Sequence, residues 1–325
     1  MPGPIYSFGD YLKQRFAVKV HKVTVNADFT CPNIDGTRGR GGCIYCNNVS
    51  FNPNTQRKEP DIDAQIEAGR QIVRKRTGAG KVLAYFQAYS NTYAPIEKLQ
   101  SLYEQALQCP DVVGLVIGTR PDCVAGEVLD LLASYQQQGY EIWLEYGLQS
   151  AHDETLERIN RGHSFAEYRD TVIATRKRGL KVCTHLILGL PGEDRGMMLE
   201  TLARVREVGT DGIKLHPLHV VRHTMLAYKW RKGDIHLLAQ PEYVSLVCDM
   251  LERMPASWVV HRLTGTASED LLLAPEWCVR KWAVINAVYA EMNRRGCRQG
   301  DAIEESRQMP LTINSVKHLD SALSC

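Results

Sequence analysis

The sequence has no apolar run approaching the roughly 18 residues that a membrane-spanning helix needs, so we expect no membrane association. It also has no excess of charge of one sign, because 39 Lys and Arg residues stand against 37 Asp and Glu residues. No overall field therefore attracts nucleic acid, and any such binding depends on local patches. The first residues show no basic segment followed by an apolar stretch, so we expect a cytoplasmic protein.

The ten cysteines lack the paired spacing of a disulfide framework, which is also unexpected in a chain of 325 residues without an export signal. No low-complexity tract interrupts the chain, and its apolar residues suffice for one large core. We predict an N-terminal lead-in over residues 1–16 and a core domain over 17–254. A small α+β extension over 255–300 and a flexible tail over 301–325 follow in this prediction.

Apolar, β-branched segments alternate with amphipathic segments, a pattern typical of strand–helix units. The predicted strands are Ala17–Val25, Lys81–Phe86, Val112–Ile117, Glu141–Tyr146, Lys181–Leu188 and Gly212–Leu215. The predicted helices are Ile62–Arg76, Ile96–Gln108, Val124–Gln138, Phe165–Lys177 and Met197–Val208, with one more at Trp277–Arg294. Strands that are almost wholly apolar indicate a parallel sheet covered by helices. The sequence therefore predicts an α/β fold, a partial (β/α)6 TIM-like barrel with a small C-terminal α+β extension.

Three cysteines lie in the loop that follows the first predicted strand: Cys31, Cys43 and Cys46. The residues between them are rich in Gly and Arg, so the loop can fold back and bring three sulfurs to one metal centre. A 4Fe–4S cluster held by three thiolates keeps one iron open to another ligand, as a catalytic metal site requires. A structural zinc site, for which no fourth ligand is evident, and buried inert thiols are the alternatives.

The cysteine loop, with Tyr45 before its last cysteine, resembles the cluster loop of the radical S-adenosylmethionine (SAM) superfamily. The long spacing between Cys31 and Cys43 resembles the branch of the Elongator catalytic subunit. Further segments are similar to the bacterial YhcC-type family: Tyr85–Tyr89, Gly118–Asp122, Leu144–Ser150, Asn160–His163, His185–Glu193 and Lys214–His219. These segments fall at the C-terminal ends of predicted strands, the end at which barrel enzymes carry their active sites.

The resemblance implies that Cys31, Cys43 and Cys46 hold one 4Fe–4S cluster whose open iron binds SAM. An electron donor such as flavodoxin or ferredoxin would reduce the cluster, and SAM would then yield a 5′-deoxyadenosyl radical that abstracts hydrogen from the substrate. The remaining cysteines show no spacing for a second cluster, which opposes a methylthiolation reaction. They are Cys109, Cys123, Cys183, Cys248, Cys278, Cys297 and Cys325.

The resemblance also assigns contacts to SAM. Gln149 and Arg161 are spaced as in the coproporphyrinogen-oxidising branch, where that pair faces the SAM ribose and carboxylate. A guanidinium suits this role because it can bind a carboxylate through two parallel hydrogen bonds. Glu145 is predicted to contact the SAM amino group and His185 the ribose, while Gln87 is predicted to line the SAM cavity. Structural roles are the alternatives, for example a helix cap for Arg161, or for Glu145 a partly buried carboxylate paired with an arginine.

Lys214 and His216 share one face of the last predicted strand and are predicted to contact the substrate. The Elongator-like branch implies tRNA, modified at its wobble uridine, as substrate. Basic residues suited to phosphates are Arg38, Arg40, Arg57 and Lys58 near the cysteine loop, and Arg70, Arg74, Lys75 and Arg76 on the first predicted helix. A radical SAM enzyme acting on a small molecule or a peptide and a non-catalytic module that binds zinc or an iron–sulfur cluster are the competing hypotheses.

Overall fold

The computed structural model describes residues 3–47 and 61–303, in which strands alternate with helices. The strands are β1 (Val20–Val25), β2 (Lys81–Phe86), β3 (Val112–Thr119), β4 (Glu141–Gln149), β5 (Lys181–Leu188), β6 (Gly212–Pro217), β7 (Val220–Val221), β8 (Val259–Arg262) and β9 (Leu272–Ala274). The helices are α1 (Phe8–Phe16), α2 (Pro32–Asp35), α3 (Ile62–Thr77), α4 (Ile96–Gln108), α5 (Gly126–Gln137), α6 (Asp153–Arg158), α7 (Phe165–Lys177), α8 (Arg195–Val208), α9 (Met225–Arg231), α10 (Gln240–Arg253) and α11 (Lys281–Arg295). Within the described ranges, every helix is too short or too polar to cross a bilayer.

Seven strands form one parallel sheet in the order β1-β2-β3-β4-β5-β6-β8. Parallel neighbours need crossover connections, and helices supply them along the outer face. The central strands are buried on both faces, as in Glu141–Gln149, where only the last residue is partly exposed. This arrangement is a partial TIM-like barrel, so the predicted α/β class is confirmed. The short strands β7 and β9 pair antiparallel in a separate two-stranded sheet.

The barrel sheet contains one strand more than the six predicted for it. Strand β8 pairs in parallel with β6, with Gly212 opposite Val259, so part of the predicted extension continues the barrel. The predicted helix Trp277–Arg294 is wrong at its start. Glu276–Val279 forms a 3-10 helix, and α11 begins only at Lys281, because Arg280 (φ −95°, ψ 59°) leaves the helical region. The predicted flexible tail lies outside the described residues from position 304 onward.

Helix α1 packs into the N-terminal end of the barrel. Its first turn is fixed by a capping box in which the Ser7 hydroxyl accepts a hydrogen bond from the amide of Asp10 (3.2 Å). The Phe8 ring packs edge-on against Trp143 of β4 (centroids 5.7 Å apart) and lies 4.1 Å from the ring of His261. Aromatic side chains therefore pack together at this end, and the cavity lined by the cysteines lies towards the C-terminal ends of the strands.

Candidate active site

The three cysteines lie on the loop between β1 and the short helix α2, and on its continuation. The carbonyl of Cys31 accepts hydrogen bonds from the amides of Ile34 and Asp35 (2.8 and 3.1 Å), which fixes the chain direction after the first sulfur. The amide of Cys46 donates to the carbonyl of Cys43 (2.9 Å), so this pair sits on a tight turn. Cys31 and Cys43 are buried and Cys46 is half-buried.

A pair of asparagines clamps the cysteine loop to the segment after α6. Asn33 is buried, and its Nδ2 donates to the carbonyls of Asn160 (2.6 Å) and Arg161 (2.9 Å). The side chain of Asn160 in turn donates to the carbonyl of Gly42 (2.7 Å). Gly162 has φ +74°, and a Cβ there would lie 2.2 Å from Asn33 Oδ1, so glycine is required on both counts. Sequence reasoning missed this clamp, because asparagines in loops give no specific signal.

Arg161 lies between this clamp and the cysteines. Its guanidinium is buried, donates from Nε and Nη2 to the carbonyl of Gly147 (3.1 and 2.5 Å), and places Nη1 3.5 Å from Cys43 Sγ. His163 lies beside it and accepts a hydrogen bond at Nε2 from Arg161 Nε (3.0 Å). Burial and the positive charges of Arg161 and Arg120 lower the pKa of His163 to about 3, so this imidazole is neutral and adds no further positive charge.

Gln149 and Arg161 converge above Gly147, as their predicted pairing requires. A Cβ on residue 147 would lie 2.6 Å from Gln149 Nε2 and 2.7 Å from Arg161 Nη2. Gln149 itself ends β4 with φ +79°, a backbone conformation that non-glycine residues seldom adopt and that is common at functional sites. The two side chains therefore lie side by side at the C-terminal end of the central strand.

The three sulfurs form an environment that needs an additional positive charge. Burial and the neighbouring Cys43 and Cys31 raise the pKa of Cys46 to about 12, although Arg161 opposes this effect. Thiolates in such a place are stable only when a metal centre compensates them. The three sulfurs do not all lie within 4.8 Å of one another. Among the described residues, the one group of three potential metal ligands that meets this limit is Glu145, Cys183 and His261. A single zinc ion with Zn–S bonds of about 2.3 Å needs a tighter group.

Glu145 lies at the centre of a buried polar network inside the barrel. One carboxylate oxygen accepts hydrogen bonds from Lys22 Nζ (2.6 Å) and lies 3.2 Å from His261 Nδ1. The other accepts from Lys214 Nζ (2.7 Å) and lies 3.0 Å from His185 Nε2. The lysines lower the pKa of Glu145 well below its ordinary value against the effect of burial. Glu145 is thus paired with two lysines, and not with an arginine as the structural alternative predicted. The two ammonium groups also disfavour a metal ion at Glu145, Cys183 and His261.

One cavity of about 580 Å³ joins the cysteines to this network. All residues that the sequence predicted for the site line it: Cys31, Cys43, Cys46, Gln87, Glu145, Gln149, Arg161, His185, Lys214 and His216. His219 also lines the cavity, since β6 ends at Pro217 and the chain turns there. The cavity is also lined by Tyr85, Arg262 and Lys281, for which the sequence analysis predicted no role.

The predicted basic rim is only partly present in the described residues. Arg38 pairs with Glu167 (2.7 Å), and Arg70 pairs with Glu67 (2.6 Å) and Asp111, so these cations are partly neutralised. Arg57 and Lys58 lie outside the described residues.

Comparisons with known proteins agree with this geometry. A family model described as the radical SAM superfamily matches residues 34–205, and one described as the radical SAM C-terminal domain matches residues 210–294. Protein YhcC of Escherichia coli (strain K12) is 47% identical over 296 residues, which cover 91% of this chain and 94% of that protein. The tRNA uridine(34) acetyltransferase of Methanocaldococcus jannaschii is 31% identical over 172 residues, covering 50% of this chain and 30% of that protein.

A solved structure supports the fold independently. The archaeal Methanocaldococcus infernus Elp3 with an N-terminal deletion superposes with a TM-score of 0.61 at 21% identity, covering 86% of this chain and 64% of that chain. The superfamily model spans more than half of the sequence, and the similarity to YhcC extends over nearly its whole length. The chain therefore belongs to the radical SAM superfamily, whose members are generally enzymes that use a 4Fe–4S cluster, SAM and a reductant.

Proposed function

We propose that Cys31, Cys43 and Cys46 hold one 4Fe–4S cluster and that Gln149 and Arg161 hold SAM beside it. The observation that carries this proposal is the buried guanidinium of Arg161, 3.5 Å from Cys43 Sγ in the wall of the same cavity. When bound, the reduced cluster and SAM together supply a 5′-deoxyadenosyl radical that abstracts hydrogen from the substrate. Arg161 both balances thiolate charge and offers its fork to a carboxylate.

The other cavity residues have distinct proposed roles. Gln87 and His185 face SAM or the substrate, and Lys214 and His216 face the substrate. Glu145 is engaged with four neighbours, so we assign it the positioning of His185 and Lys214 in place of the SAM amino group. We propose a single cluster, because the other cysteines of the sequence show no spacing for a second one. Cys325 lies outside the described residues.

The test is anaerobic reconstitution with iron and sulfide, followed by reduction with dithionite, flavodoxin or ferredoxin. We expect about four iron atoms per chain, a change in the electron paramagnetic resonance spectrum when SAM is added, and release of 5′-deoxyadenosine. Cys43→Ala should abolish all three results. Cys248→Ala is the matched control, because this buried cysteine lies in the core and away from the cavity. A colourless, zinc-loaded protein without SAM cleavage contradicts the proposal.

We further propose that the substrate is tRNA and that the modified residue is a uridine. The tRNA uridine(34) acetyltransferase of M. jannaschii, which matches about half of this chain, supports this proposal. Helix α9 supports this choice. It is held against the cysteine loop, because the amide of Leu226 donates to the carbonyl of Ile44 (2.8 Å). The helix carries the exposed Tyr228, with Lys232 Nζ 4.5 Å from the ring centroid. Aromatic side chains stack on unpaired bases, and cations bind the phosphates between them.

The substrate test compares tRNA nucleosides from a strain that lacks the gene with those from the same strain carrying the wild-type gene or its Cys43→Ala variant. We expect one modified uridine to disappear in the deletion strain and to return only with the wild-type gene. Unchanged nucleosides, together with SAM cleavage by the purified protein, would favour a small-molecule or peptide substrate.

A further inference from the structure

The part of the cavity lined by β6, β8 and α11 carries positive charge that the described residues do not compensate. Glu145 is the one carboxylate among the described residues that line the cavity, and both of its oxygens are occupied by lysine ammonium groups (2.6 and 2.7 Å). Arg120 is neutralised by Asp122 (2.8 Å). Arg262 and Lys281 line the same cavity, and neither makes an ion pair within the part of the chain that the structure describes.

Arg262 is the central group of this region. It ends β8 beside Lys214, its partner in the register of the sheet. Its guanidinium is half-buried, and no hydrogen bond joins it to residues 3–47 or 61–303. Its five N–H donors are therefore available to a ligand. Lys281 begins α11, and its pKa is lowered by burial and by the positive charge of Arg262. The positive charges of Arg262 and Lys281 therefore repel each other, although Lys281 is exposed to solvent.

His216 adds an unused hydrogen-bonding atom to the same wall. Its Nε2 is buried and has no hydrogen-bond partner in the described residues. The loop after β8 covers the other side of the ring, since a Cβ at Gly265 would lie 2.4 Å from Nδ1. A buried polar atom without a partner is costly, and a ligand in the cavity would satisfy it. An imidazole, an ammonium group and a guanidinium together are a donor set that suits an anion.

We infer that Lys214, His216, Arg262 and Lys281 form an anion subsite that binds a carboxylate or phosphate group of the substrate. This inference rests on the proposed function, because the subsite lies in the cavity assigned to SAM and the substrate. The subsite belongs to β6, β8 and α11, whereas Arg161, assigned to the SAM carboxylate, follows β4. Two oxygens of one anionic group match the fork of Arg262, and the anion supplies the missing negative charge. The anionic end of the substrate is held here, and the rest extends towards the cysteines.

The experiment titrates inorganic phosphate and acetate into the anaerobically reconstituted protein, with saturating SAM present and ionic strength held constant with chloride. Calorimetry should show saturable binding of at least one anion, and Arg262→Gln should weaken it by about ten-fold, the effect of losing a charge-assisted hydrogen-bonded pair. Arg262→Lys should retain part of the affinity. Arg169→Gln, which changes a surface arginine paired with Asp170, should bind as the wild type does. Tighter binding of phosphate identifies a phosphate subsite, and tighter binding of acetate a carboxylate subsite.

A second readout separates a binding role for Arg262 from a structural one. In buffer that contains chloride but neither phosphate nor acetate, Arg262→Gln should raise the Tm, because it removes repulsion between Arg262, Lys214 and Lys281. An arginine needed for folding would lower it. Absence of anion binding, or equal binding by Arg262→Gln, overturns the subsite. Release of 5′-deoxyadenosine by the wild type in the same preparations distinguishes these failures, because its absence counts against the proposed function alone.

Discussion

The guanidinium of Arg161 lies so close to Gly147 that a methyl group on residue 147 would be 2.7 Å from Nη2. The carbonyl of Gly147 accepts two hydrogen bonds from the same guanidinium (3.1 and 2.5 Å). The backbone of Gly147 is not in the left-handed region, so glycine is needed here for space and not for conformation. The missing side chain lets Arg161 cross β4 and reach the sulfur of Cys43 (3.5 Å).

Gly147→Ala should therefore displace Arg161 and Gln149 while leaving β4 in place. We expect SAM to bind at least about ten-fold more weakly, the effect of losing one hydrogen-bonded charged contact. Equilibrium dialysis of radiolabelled SAM with the reconstituted protein measures this change. Gly80→Ala is the matched control, because no atom lies within 4 Å of a Cβ at that position. Equal affinities in both variants would remove Arg161 from the SAM site.

Asn33→Ala should loosen the clamp that holds the cysteine loop. The change removes two donated hydrogen bonds (2.6 and 2.9 Å), so the carbonyl of Asn160 loses its donor and the carbonyl of Arg161 keeps only the bond from Arg120 Nη1 (2.6 Å). We expect a loss of about 1–3 kcal/mol in the free energy of unfolding and a lower iron content after reconstitution. Urea unfolding and iron analysis measure the two effects. Asn286→Ala, on the exposed side of α11, is the control and should change neither the free energy of unfolding nor the iron content. A normal iron content in Asn33→Ala would show that the loop keeps its shape without the clamp.

The buried histidine beside Glu145 should make stability depend on pH. Burial and the charge of Lys214 lower the pKa of His185 to about 4, although Glu145 opposes the shift. Between the unfolded value of about 6.5 and this folded value, the unfolded state binds more protons. The free energy of unfolding therefore falls as the pH drops through this window, by at most about 1.4 kcal/mol per pH unit from this residue. His185→Gln keeps a donor for Glu145 and should flatten that fall in urea titrations, whereas His236→Gln, on the surface, should not.

The barrel was predictable because its strands are recognisable one at a time. Segments such as Lys81–Phe86 and Val112–Thr119 are apolar over nearly their whole length, which only strands buried on both faces need to be. Strand β8 was less evident, since it has four residues and follows a stretch without the strand–helix rhythm. Its place in the barrel depends on pairing with β6, a tertiary relationship that no local pattern encodes.

The site was predictable where chemistry restricts residue types, and not where distant strands meet. Three cysteines on a glycine-rich loop indicate a metal centre wherever the chain goes next. The partners of Glu145 give no such signal. Lys22 and His261 belong to the first and last strands of the sheet, 123 and 116 residues away from it in sequence. Only the curvature of the sheet brings them to one carboxylate, so the network could not be read from the sequence.

Removing the aromatic and basic groups of α9 should weaken tRNA binding without affecting the cluster. Tyr228 is exposed on α9, and loss of one base-stacking side chain costs about 1–3 kcal/mol, so Tyr228→Ala should raise the Kd for tRNA about ten-fold. Lys232→Ala should raise the Kd less and should make it less sensitive to salt, because one phosphate contact is lost. Filter binding over a range of salt concentrations measures both effects. Lys13→Ala is the matched control, since this exposed lysine lies on α1 at the opposite end of the barrel. If Lys13→Ala and Lys232→Ala weaken binding equally, the protein attracts RNA through its general charge, and α9 is not the surface that receives the substrate.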